Sequence, residues 1–102
     1  MNKIDNLIQF LEYEWGEDGF LYELRKGIYT EKKAEDFFSN LGNFNISNEE
    51  LIPKRLISLI WYLPIFLSWQ RERILKNGGN IERYDLFSTK IINILESIFG
   101  IP

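Results

Sequence analysis

Apolar residues recur every three or four positions along most of this chain, the spacing of helices that bury one face. Ile4, Leu7, Ile8, Leu11 and Trp15 predict a first helix ending near Tyr13 or Trp15, with Asn2 or Asp5 as its cap. Gly16 and Gly19 bracket Glu17 and Asp18 as a turn. Phe20, Leu21, Leu24 and Ile28 then predict a short helix stopped at Gly27. Thr30 caps a third, TEKKAEDFFSNLG, whose Ala34, Phe37, Phe38 and Leu41 share a face and whose Gly42 ends it. Ser47 with Glu50 matches a capping box, and Ile46 with Leu51 a hydrophobic staple, so helix is expected to restart at Ser47. Pro53 should then open a new helix at its first position. The segment from Lys54 to about Asn77 is helical in length and stops at Asn77-Gly78-Gly79-Asn80. Tyr84, Phe87, Ile91, Leu95 and Ile98 give the last segment one clean apolar face before Gly100. No segment alternates with period two for long. The expected fold is all-α, a compact bundle of four to five helices in a single domain spanning residues 1 to 102.

The stretch LIWYLPIFLSW breaks the amphipathic pattern. From Leu56 to Trp69 only Ser58, Pro64 and Ser68 interrupt apolar residues. These 14 positions fall short of the roughly 20 that a membrane-spanning helix needs. Lys54 and Arg55 before them and Arg71 and Arg73 after them would be buried by any longer span. The block is therefore expected to be the central helix of the bundle, enclosed by the amphipathic helices on either side. Pro64 cannot donate to the carbonyl of Ile60, so it should kink that helix or divide it. Trp61, Tyr62, Phe66 and Trp69 are more large aromatics than a small core readily encloses. Trp69, with Arg71 and Arg73 beyond it, is the part of the block expected at the surface.

Composition narrows the chemistry. With 45% hydrophobic residues the chain has the material for a core. Cysteine and histidine are both absent, which removes thiolate and imidazole nucleophiles, the usual general base near neutral pH and the common zinc ligands. Carboxylates alone remain as candidate reacting groups. Neither the EYEWGEDG stretch nor Glu35 with Asp36 has the ligand order of a calcium loop. No phosphate-binding glycine motif occurs. No catalytic residue, metal or cofactor is expected, and the protein is not expected to be an enzyme. The N-terminal stretch lacks a signal-peptide pattern, so a cytoplasmic location is expected.

Charge is unevenly spread. The net charge is -3, but residues 1 to 51 carry eleven acids and five bases while residues 52 to 102 carry four acids and seven bases. Between Lys3 and Arg25 every charge is negative. Such an end repels nucleic acid and attracts a basic protein surface. The QRERILK cluster is diluted by Glu72 and matches the usual bias of cations to a helix C-terminus. No amphipathic helix has the lysine-rich face of a membrane binder. Around the first glycines Tyr13, Trp15, Phe20 and Tyr22 interleave with Glu12, Glu14, Glu17, Asp18 and Glu23. Acids to steer a basic partner and aromatics to anchor it are what an inhibitor of a basic active cleft requires.

The segments FLYELRKGIYTEKKAEDFFSNL and IPKRLISLIWYLPIFLSWQRERI resemble the small all-helical immunity proteins encoded beside polymorphic bacterial toxins, including those of contact-dependent growth inhibition systems. The likeness covers about residues 18 to 75 and is carried by pattern and by the phrase WYLP-x-F-x-x-WQ-x-E. It implies a cytoplasmic protein that binds the toxic C-terminal domain of a cognate effector, often a nuclease, and blocks its active site. No contact residue is carried over from the family. The charge and aromatic argument instead gives the expected partner-binding set: Glu12, Tyr13, Glu14, Trp15, Glu17, Asp18, Trp69, Arg71 and Arg73. The partner expected is a toxin domain, not nucleic acid or membrane, and the chain is expected to be a monomer. The alternative is a regulatory or scaffolding module that dimerises through exposed aromatics of the Trp61 to Trp69 block. A third reading is an enzyme working through carboxylates and magnesium.

Overall fold

The computed structural model describes residues 2–47 and 50–102. Among them are six helices and no strand: α1 (Lys3–Trp15), α2 (Phe20–Arg25), α3 (Glu31–Gly42), α4 (Lys54–Ile60), α5 (Leu63–Lys76) and α6 (Ile81–Phe99). The four long helices are the expected bundle, and α2 and α4 are short connecting pieces of 6 and 7 residues. None of the described helices is long and apolar enough to cross a membrane.

Local chemistry sets most of the boundaries. The Asn2 side chain accepts the amide of Asp5 at 2.8 Å and starts α1, and Gly16 ends it. Gly27 has φ 79°, the left-handed conformation that closes α2 at low cost. Asn80 caps α6 by accepting from the amide of Arg83 at 3.1 Å.

The boundaries of α3 fall where expected, while those before α4 differ. α3 ends at Gly42, with Asn43 as its C-cap. Thr30 occupies the N-cap of α3 without a side-chain bond. The helix expected from Ser47 falls partly on Asn48 and Glu49, outside the described residues, but Glu50 to Pro53 are not helical. Half of the capping box forms there, since the Ser47 amide donates to the Glu50 carboxylate at 2.8 Å. The staple does not form, because Leu51 projects into solvent. Pro53 precedes α4 as its N-cap, in an extended conformation, instead of entering its first turn.

The apolar block divides as its proline dictates. α4 ends at Ile60 and α5 begins at Leu63, with Pro64 in its first turn where a missing N–H does no harm. Trp61 and Tyr62 keep right-handed helical dihedrals, so the break is a kink rather than a loop. The Leu59 carbonyl at this kink accepts the indole N–H of Trp15 at 2.8 Å. Contrary to the expectation of a central helix, the block is not enclosed all round. Leu56, Leu59, Ile60, Leu63, Phe66, Leu67 and Ile74 are buried, whereas Ile57, Trp61, Ile65 and Trp69 are exposed. The helix with long neighbours on two sides is α6, which packs against α5 and α3, while α1 lies on α4 and α2 touches α1, α3 and α5. Tyr84 of α6 is buried and donates its hydroxyl to the Leu67 carbonyl at 2.6 Å, and burial pushes its pKa up.

Candidate functional site

The acidic stretch folds into the end of α1, the turn after it and the start of α2, and its members have different roles. Glu12 is bound by Arg55 of α4 at 2.9 Å. Glu14 is half-buried, and its carboxylate accepts the amide of Phe20 at 3.1 Å, capping a helix whose Gly19 offers no side chain to do so. Burial pushes the Glu14 carboxyl above the usual range, against the Phe20 bond and nearby Lys33. Trp15 packs edge-on against Phe66 at 4.8 Å and stacks on Tyr62, with the Arg25 guanidinium 5.5 Å above it. These three residues serve the fold. Tyr13, Glu17 and Asp18 remain exposed, and the carboxylates of Glu17 and Asp18 make no ion pair among the described residues.

Tyr13 and Asp18 face α3 across a shallow cleft of about 170 Å³. Its floor is Phe20 and Phe37, whose rings lie 5.5 Å apart, and its rim includes Glu14, Asp18 and Asp36. Lys33 also lines it, but is held by Glu23 of α2 at 2.6 Å. The cleft therefore offers an aromatic floor under a mostly acidic rim, suited to a cationic side chain. Asp36 is a member that sequence reasoning does not select. Its spacing of four from Asn40 is plain in the pattern, but not that this face meets the Asp18 turn.

The second group of predicted residues is built by α5 alone and shares no element with the cleft. Trp69 is exposed, its ring edge-on to Tyr62 at 6.0 Å. Arg71 grips Asp85 of α6 with two bonds of 2.9 Å, and Arg73 donates to the Arg25 carbonyl at the end of α2. Both arginines thus fasten helices together.

Around Trp69 lies a feature that sequence reasoning catches only in part. Ile57, Trp61, Ile65 and Trp69 stand four residues apart and are all exposed, forming one ridge through the kink. Beside it Ile60, Trp61 and Pro64 face Ile92, Leu95 and Phe99 of α6 across an open apolar groove of about 410 Å³. The four-residue spacing of the ridge is present in the block, but Leu59, Leu63 and Leu67 have the same spacing and are buried. A smaller depression of about 80 Å³ between α3 and α6 is flanked by the Glu31–Arg83 ion pair and by Lys90 over the ring of Phe38.

No group of three carboxylates among the described residues is arranged to hold a metal ion. Compared with known protein families, characterised proteins and solved structures, the chain matches none.

Proposed function

We propose that this chain is a non-enzymatic immunity-type protein that neutralises a basic bacterial toxin domain, acting in the cytoplasm of the cell that makes it. The observation that carries this reading is the aromatic-floored acidic cleft between the α1–α2 turn and α3, with Glu17 and Asp18 free of internal partners beside it. Unpaired surface acids raise the encounter rate with a basic active cleft, and aromatic walls give a desolvated anchor once contact is made. A toxin that acts on nucleic acid has such a basic cleft, because it must hold phosphates. A cationic side chain of the toxin docked here would hold this acidic surface over the toxin's basic cleft and exclude the substrate.

The clean test uses the acids that have no part in the fold. Glu17→Lys with Asp18→Lys should slow association with the cognate toxin domain by at least about tenfold, as expected for loss of electrostatic steering. Protection of growing cells should fall with it, while circular dichroism and Tm stay those of the parent. Glu12 and Glu14 are unsuitable probes, since lysine at either position also breaks an internal bond. An unchanged association rate in the double variant would sink the assignment of this surface.

A further inference from the structure

We infer that the ridge of Ile57, Trp61, Ile65 and Trp69 is the contact surface of a two-fold dimer of this chain. Three properties point to a second copy as the occupant. The first is area. Trp61 and Trp69 are 59% and 67% exposed, and Ile57, Ile65, Ile92 and Phe99 are each 40 to 48% exposed. At roughly 150–250 Å² for a whole large side chain, these six leave roughly 450–750 Å² of largely apolar surface uncovered. Monomers rarely expose a patch above roughly 300–600 Å². Two such faces pressed together bury roughly 900–1,500 Å², a range that spans the roughly 1,200 Å² at which stable interfaces begin.

The second property is shape. Residues spaced by four form the ridge that interdigitates with another ridge of the same kind, and a two-fold axis supplies that second ridge automatically. An antiparallel pairing with Ile65 on the axis sets Trp69 of each copy opposite Trp61 of the other. The groove lies there, bounded by Trp61, Pro64, Ile92 and Phe99. Each copy therefore presents both a protruding indole and the apolar groove to receive it.

The third is charge. A residue on a two-fold axis meets itself, and Ile65 carries no charge. In the same register Glu72 falls opposite Ser58 and Arg73 opposite Ile57, and the one like-charged pairing, Lys54 with Lys76, lies beyond both ends of the ridge. Only Glu96 is ionisable among the residues of the groove, so the face offers a single carboxylate to a basic toxin. It shares no residue with the acidic cleft, so the two proposals stand or fall separately.

Sedimentation equilibrium of the full chain from low micromolar to near millimolar concentration tests the inference without any toxin. The parent should shift with concentration from the 12.2 kDa of one chain towards twice that mass. Ile65→Lys, which places two ammonium groups at the axis, should weaken the dimer at least about tenfold, the equivalent of about 1.4 kcal/mol. Trp69→Ser should do likewise by removing the indole, and serves if the lysine variant folds poorly by circular dichroism. A parent that stays at monomer mass throughout, including one that binds some other protein with this face, overturns the inference. So does self-association unchanged in folded Ile65→Lys or Trp69→Ser. Glu17→Lys with Asp18→Lys should leave the dimer intact, which separates failure here from failure of the inhibitor reading.

Discussion

At Glu14 a side chain that reads as surface charge performs backbone work, satisfying the amide of Phe20 from a half-buried position. The cost of holding a carboxylate there is visible in its raised pKa, caused first by burial. With the folded pKa above the unfolded one, the linked stability is fully present below the ordinary glutamate range. It is lost as pH rises through the raised value. Glutamine keeps an oxygen to accept from Phe20 and has no charge to desolvate. Glu14→Gln should therefore raise Tm at neutral pH, and the gain should vanish in acid; thermal melts over a pH series read both. A variant less stable than its parent at neutral pH would mean that the charge strengthens the cap by more than burial weakens it. In the sequence Glu14 reads as a contact residue because acids alternate with aromatics around it. The side chain's return to an amide six positions ahead has no signature in that alternation.

Elements are the most legible level, because their ends are fixed by local chemistry: Asn2, Gly16, Gly27 and the Asn77–Asn80 stop all act where the pattern places them. The segment after Asn43 is less so, since a capping box, a staple and a proline compete there and Pro53 forbids the continuous helix the other two invite. The division of the apolar block at Pro64 is readable for the same reason. Its exposed ridge is hidden by uniform hydrophobicity, which cannot say which apolar face meets the core. Gly19 shows a tighter constraint. Its backbone is ordinary, with φ -91°, but a methyl group there would collide with the main chain of Tyr13 and Glu14, where the turn folds back on α1. Gly19→Ala should cost about 1–3 kcal/mol, as overpacking against an unyielding backbone does. A urea midpoint within error of the parent would show that the turn can open.

Across the whole molecule the uneven charge of the sequence becomes partly internal. Glu12 of the acidic half meets Arg55 of the basic half at 2.9 Å, and Glu31 meets Arg83 at 3.3 Å. These exposed pairs add little stability, typically about 0–1 kcal/mol each. Among the acids without an ion pair in the described residues, Glu17 and Asp18 stand side by side at one turn, whereas Asp5, Glu35, Glu82 and Glu96 are scattered over other helices. The sequence shows the imbalance but not which acids are neutralised, because the partners are brought together only by the packing of α1 on α4 and of α3 on α6. The bond from Trp15 to the Leu59 carbonyl is another long-range contact, and it has a genetic consequence. Pro64 keeps α4 and α5 from closing into one helix, and Trp15 supplies a donor to the kink it creates. In Pro64→Ala the ladder can close, Leu63 can donate to Leu59, and the indole bond becomes redundant. Trp15→Phe should cost about 1 kcal/mol or more in the parent and distinctly less in the Pro64→Ala background, a non-additivity that a double-mutant cycle in urea measures directly. Purely additive effects would sever the link. Positions 15 and 64 thus behave as an epistatic pair, each setting what the other can tolerate during sequence change.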